Sequence, residues 1–330
     1  MTAVQTRPAP DPPAPPSALR RGLPGATAVV VLVVLAAAPL FLAPFATTTL
    51  TRIVVFGLFA VSLDLLVGIT GLPSLGHAAY FGAGAYAAGW VSINLTAEAP
   101  VPLLVGAAMG AFAAAVTGWI TVRTGGVFFL MLTLAIGETI QQLANTWESA
   151  TGGANGLTGV PSVRIGGAPL GVNAGFTYWY VLVVAVLGFA LVWLVARSPW
   201  GAALRGIRDN EPRMRALGYP TALYKYAVFV LAGGVAGIAG SLLVAQQRLV
   251  TPADLGFLTA SFALLAVVIG GAGSLWGAVL GAAVVVLVRE TLGPSLDGHG
   301  PLVLGVVFIV VVYLLPRGAA GLRWPRRRKP

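Results

Sequence analysis

The sequence predicts an all-α, polytopic integral membrane protein, and three observations carry that prediction. Apolar residues make up 57% of the 330, mean hydropathy is +0.88 and only 9% of residues are charged; a soluble surface needs roughly a quarter charged. Stretches of about 20 apolar residues, the length that crosses a bilayer as a helix, recur along the chain. The basic residues flank those stretches instead of forming a stripe, so the formal charge of +10 writes membrane topology, and nucleic-acid binding is rejected. Cysteine is absent, which removes thiolate chemistry, disulfides and Cys-based metal sites.

The first 26 residues hold Pro8, Pro10, Pro12, Pro13, Pro15 and Pro16 and are expected to be a disordered cytoplasmic head (1–26). Arg20 and Arg21 before a long apolar run look like a signal peptide, but the many runs that follow favour an uncleaved anchor. Candidate spans lie near 27–46, 53–70, 76–95, 101–122, 126–146, 176–196, 225–245, 257–273, 275–290 and 301–316. That gives ten, with 8–10 as the range. The 257–273 and 275–290 segments are either a tight helical hairpin or a re-entrant pair. The permease domain would then run over 27–316, with a basic tail at 317–330.

Ten spans with both termini inside place Arg7, Arg20, Arg21, Arg123, Arg197, Arg205, Arg208, Arg213, Arg215, Lys225 and six basic residues from Arg317 to Lys329 in the cytoplasm. Arg52, Arg164, Arg248 and Arg289 remain opposite. Lys and Arg resist translocation, so the asymmetry supports this orientation. Tyr178, Trp179 and Tyr180 open the sixth span, where an interfacial aromatic belt is expected. The 147–175 segment becomes an extracytoplasmic loop.

Charge concentrates in the cytoplasmic loop 197–224, around "GIRDNEPRMRALGYPTALYKYA" at 206–227. Ser198-Pro199 reads as an N-cap with proline at the first helical position, predicting a helix from Pro199 toward Arg208. Asp209-Asn210 interrupts it. A second short helix is expected from Glu211-Pro212 to Gly218, where glycine suits the left-handed C′ position and Pro220 prevents continuation. Helices this short need something to dock on.

Arg208-Asp209-Asn210-Glu211, Ala216-Leu217-Gly218, Tyr224-Lys225, Phe229 and the run Gly233 to Gly240 resemble the cytoplasmic coupling loop of branched-chain amino-acid ABC transporter permeases, most of all the LivM type. The same resemblance extends to Ser74-Leu75-Gly76-His77 with its small, tyrosine-bearing continuation, to Thr151–Pro161, and to Gly270–Gly277. It covers all but about 40 residues of head and tail, four matches in order. It implies an importer permease architecture and a chain that hydrolyses nothing: ATP would be handled by two cytoplasmic ATPase subunits, beside a second homologous permease and an extracytoplasmic solute-binding protein, all within membrane lipid. No G-x-x-x-x-G-K-[ST] phosphate loop is present, and no cofactor is implied. Residues 206–218 would fit a groove on the ATPase, with Arg205, Arg208, Asp209, Asn210, Glu211, Ala216, Leu217 and Gly218 as its coupling residues. The importers' general Glu-Ala-Ala triplet is replaced here by Pro212-Arg213-Met214, so the match rests on the branched-chain variant of the loop.

Within the spans, Asp64, mid-span, and Glu138, deep in the fifth, are intramembrane ionisable groups, either functional or paired; His77 is either a hydrogen-bonding part of the Ser74–His77 turn or a pathway residue. No metal site is indicated. Gly106-x3-Gly110, Gly233-x3-Gly237 and Gly277-x3-Gly281 put small residues on one helix face for close packing. Segments 71–78 and 271–278 share Gly, Ser-Leu and Ala at a separation of 200 residues, a hint of internal duplication. The cargo of the resembled family is a branched-chain amino acid; urea, short amides or another small nutrient stay open, as does an ion-coupled carrier using Asp64 and Glu138. An intramembrane serine protease built on Ser74 and His77 would lack an orienting group and an oxyanion donor.

Overall fold

The computed structural model describes residues 19–292 together with Leu302, Gly305, Val306 and Ile309. The chain divides into two units, Met1–Leu42 and Ala43–Pro330. The first holds one helix, α1 (Leu19–Phe41). Residues 1–18 of the expected head, the tenth span at 301–316 apart from isolated positions, and the basic tail lie outside the described residues; residues 19–26, expected to belong to the disordered head, instead open α1, since the proline cluster ends at Pro16.

In the second unit the order is α2 (Pro44–Asp64) running into a π-helical turn (Leu65–Thr70), α3 (His77–Asn94), α4 (Val101–Thr121), α5 (Gly126–Thr146), α6 (Glu148–Thr151), α7 (Ala174–Arg197), α8 (Pro199–Asp209), α9 (Glu211–Ala216), α10 (Thr221–Gln247), α11 (Phe257–Gly270) and α12 (Leu275–Leu287). Five helices among the described residues are long and apolar enough to cross a membrane: Pro44–Thr70, α4, α5, α7 and α10. At 18 residues α3 is shorter, and α11 and α12 have only 14 and 13, about 20 Å each at 1.5 Å per residue. The expected break after residue 46 falls instead at Leu42–Ala43, because Pro44 supplies a first-turn proline for a new helix. Between α6 and α7 the chain makes a two-residue antiparallel ladder, β1 (Arg164–Ile165) on β2 (Ala168–Pro169).

The core is built around α2 and α10, which are largely buried, against α3, α4, α7 and the α11–α12 hairpin. Where α10 crosses α4, glycines let the backbones touch: a Cβ on Gly237 would stand 2.3 Å from the Gly106 carbonyl oxygen, and one on Gly110 2.4 Å from that of Gly233. Lipid offers no hydrophobic drive between helices, so such close van der Waals packing is what joins them. Inside the hairpin the same device recurs, with Gly277 against the Gly270 carbonyl and Gly281 against that of Ala266. Tyr178 faces the interior at 0% exposure, so it belongs to the bundle and not to the aromatic belt expected of it.

Candidate functional site

The charged loop is held by its own caps. Ser198 Oγ accepts from the Gly201 amide at 3.2 Å and Pro199 follows at the first helical position, starting α8 as expected. Gly201, Ala203, Leu204 and Ile207 form the buried face of α8. Arg205 donates to the Ala196 carbonyl at 2.7 Å, folding α8 back on the end of α7. Asn210 Oδ1 accepts from the Arg213 amide at 3.0 Å and so caps α9. That helix ends in a Schellman motif: Tyr219 N–H bonds the Met214 carbonyl at 3.1 Å, Gly218 N–H that of Arg215 at 3.0 Å, and Gly218 has φ +88°.

Glu211 and Arg208 each gather several contacts within the chain itself. Glu211 takes Lys225 Nζ at 2.7 Å, Arg215 at 2.9 Å and the Thr221 hydroxyl at 3.1 Å. Its partial burial favours the neutral acid, but the Lys225 hydrogen bond and charge, with Thr221 and Arg215, outweigh that and hold its pKa below the ordinary value. Arg208 Nη1 donates to the Gly68 carbonyl, while Nε and Nη2 each reach Asp209 Oδ1 at 3.2 Å. Arg208 and Glu211, expected among the coupling residues, spend their polar contacts within the chain, where they pin α8 and α9 to the bundle. Left outward are Arg213, Ala216, Leu217 at 65% exposure, Tyr219 and Leu223. Of these, Arg213, Tyr219 and Leu223 escape sequence reasoning, since only the docked fold shows which face of a short amphipathic helix remains free.

Arg208 stands where two turns meet. Its stem packs on Gly71, whose φ of +77° and 2.6 Å clearance to Arg208 Cγ exclude a side chain. Asp64 Oδ1 accepts from the Gly273 amide at 2.7 Å, and Gly68 lies directly against Gly273. Asp64 is therefore not mid-span: the helix starts at Pro44, nine residues earlier than expected, and Asp64 sits one turn and a half from its Gly71 end, wholly buried, with Oδ1 bonded to Gly273 and Oδ2 without a hydrogen-bond partner among the described residues. Both turns follow a helix that ends in a glycine of positive φ, Gly71 and Gly271, and both lead through Ser-Leu into the next helix. The segments that share letters thus share a plan, and Arg208 lies against a glycine of each, Gly71 and Gly273.

Ser74, Leu75, Gly76 and His77 join α3 to α5. Leu75 N–H reaches Thr133 Oγ1 at 3.3 Å, and a Cβ on Gly76 would lie 1.9 Å from the Thr133 carbonyl oxygen. His77 is fully buried, stacked on Phe59 at 5.7 Å and bonded through Nε2 to Ser62 Oγ at 2.9 Å. Ser62 already gives its hydrogen to the Phe59 carbonyl at 2.7 Å, so Nε2 carries the imidazole proton. Ser74 Oγ has no partner; Ser74 and His77 form no nucleophile–base pair. Glu138 is exposed on α5 and accepts from the Phe257 amide at 3.2 Å, at the start of α11. No group of His, Cys, Asp and Glu among the described residues could hold a metal ion.

A profile of the family described as "Branched-chain amino acid transport system / permease component" matches residues 45–315. The chain belongs to that family. It is 26% identical over 321 residues to the high-affinity branched-chain amino acid transport system permease protein LivM of Escherichia coli K12, covering 90% of this chain and 75% of that protein. It is 27% identical over 286 residues to the permease protein BraD of Pseudomonas aeruginosa, covering 81% and 91%. Similarity also reaches the autoinducer 2 import system permease LsrC of Salmonella paratyphi B, 27% over 187 residues, 54% of this chain and 50% of that one. No solved structure matches. The chain is a multi-pass membrane protein of a transport family, and the LivM resemblance read from its motifs is borne out.

Proposed function

We propose that the chain is the membrane-spanning permease subunit of an ATP-binding-cassette importer that carries branched-chain amino acids across a bacterial cytoplasmic membrane by alternating access. It catalyses no reaction. A second homologous permease, two cytoplasmic ATPases and an extracytoplasmic binding protein complete the machine, with both termini and the 197–224 loop in the cytoplasm and the 147–175 loop outside. The observation that carries this reading is the family match over 45–315, together with a charged loop that docks one face on the bundle and turns Leu217, Tyr219 and Leu223 outward. ATPase closure would push on that outward face and be transmitted as rigid-body movement.

The test is affinity purification of the tagged chain from its native membranes. ATPase subunits should co-purify with the wild type and be lost with Leu217→Asp, a substitution at a side chain that is 65% exposed. A stable, abundant chain without any ATPase sinks the importer reading. The match to an autoinducer 2 importer supports a second reading, another small polar nutrient as cargo; competition against leucine uptake by unlabelled candidates separates the two.

A further inference from the structure

The exposed side of α5 changes character halfway along. Toward Gly126 it shows Val127, Phe128 and Met131; beyond that Glu138, Thr139, Gln142 and Thr146 stand with Leu143 on one shallow, open surface. The outward faces of α4 (Leu104, Phe112, Trp119) and α7 (Val183, Leu187, Leu194) stay apolar throughout, as surfaces against acyl chains should.

Depth makes the contrast decisive. At 1.5 Å per residue Glu138 lies about 18 Å along α5 from Gly126, and Phe257, its partner, about 20 Å along α11 from Gly270, so both helices place this point near the middle of a hydrocarbon core about 30 Å thick. An exposed carboxylate at that depth is too costly to face lipid; such groups line water or meet a partner charge. One of its oxygens takes the Phe257 amide, and the side chain is otherwise exposed.

We propose that this half of α5 is a wall of the translocation path, and that Glu138 receives the ammonium group of a zwitterionic amino acid as it passes mid-membrane. Gln142 and the two threonine hydroxyls supply neutral hydrogen bonds beside it, and Leu143 an apolar surface. The assignment rests on the importer reading above and adds to it the chemical group recognised and the residue that recognises it.

The chain's lack of cysteine makes the test direct. Single variants Gln142→Cys and Val183→Cys, in the assembled complex, are exposed to a water-soluble methanethiosulfonate and the mass of this chain is followed. Gln142→Cys should react about tenfold or more faster, because a thiolate forms only where water reaches. Equal, background-level reaction means α5 faces lipid or packed protein and overturns the proposal. In proteoliposomes Glu138→Gln, which keeps an acceptor for Phe257, should lower ATP-driven leucine uptake about tenfold, one lost charge-assisted bond, while hydrolysis stimulated by the loaded binding protein persists. Wild-type uptake in Glu138→Gln overturns it as well. If the wild-type complex shows no ATP-driven uptake at all, the importer reading itself fails and this role of Glu138 falls with it; normal wild-type uptake with either negative result removes the inference alone.

Discussion

Glu211 shows how one carboxylate can hold a loop. It bridges α9 to the start of α10 through Lys225, whose side chain is only 8% exposed, so removing the acid would strand a buried cation. The stabilisation has a definite pH sense. The folded pKa of Glu211 lies below its ordinary 4.5, so the contribution is fully present above about pH 4.5 and is lost as pH falls through the lowered value. Hydrogen exchange of residues 209–224, corrected for intrinsic rate, should therefore be flat from pH 7 to 5 and rise below 4.5. Glu211→Gln should already exchange at the raised level at pH 7. A rise in the wild type that begins at pH 6 would contradict the assignment. Gly218 and Ser198 could be placed from the sequence alone, since caps and αL glycines are local chemistry, whereas Asp209-Asn210 is legible only as a break and not as the cap of α9 that Asn210 provides. The partner of Glu211, fourteen residues away, could not.

Among the elements, α10 offers two neighbouring glycines with opposite expectations. A Cβ on Gly237 meets the Gly106 carbonyl at 2.3 Å, backbone against backbone, whereas on Gly234 the nearest atoms are Ala111 Cβ at 3.4 Å and the Ala107 carbonyl at 3.6 Å, ordinary contact. Gly237→Ala must push α4 and α10 apart and should cost about 1–3 kcal/mol. Gly234→Ala should be neutral or gain up to about 1 kcal/mol from helix propensity. Thermal unfolding of the purified protein in detergent reads both; equal midpoints for the two variants would rule out the tight crossing at Gly237. Glycine spacing announces a packing face in the sequence, yet it does not say which helix is met, and that depends on the tertiary arrangement. Helix lengths were less legible for the same reason: hydropathy marks the apolar centre of α2, while Pro44 and the π-helical turn set its ends.

At the scale of the whole molecule, three features read separately in the sequence, the charged loop, Asp64 and the Gly270–Gly277 turn, come together at the π-helical turn. Arg208 from the charged loop donates to Gly68 in the π-helical turn, Gly68 lies against Gly273 in the hairpin turn, and Gly273 donates to Asp64 on α2. π-helical turns inside helices gather at functional sites. In the importer reading proposed above, movement of α8 would bear on both α2 and the α11–α12 hairpin through one guanidinium. The sequence could not disclose this, because contacts between residues 64, 68, 208 and 273 exist only once the chain is folded. Arg208→Ala should forfeit about 1.5–3 kcal/mol of charge-assisted bonding while leaving the outward Leu217 face intact. The ATPase should still co-purify and hydrolyse ATP, but loaded binding protein should no longer stimulate hydrolysis and uptake should fall. Arg208→Lys, able to reach the Gly68 carbonyl with one donor but lacking the planar fork that also grips Asp209, should be intermediate. Transport by Arg208→Ala at the wild-type rate would mean that force travels by another route, through the apolar face of α8 at Leu204 and Ile207. Loss of ATPase binding would place Arg208 in the docking surface itself.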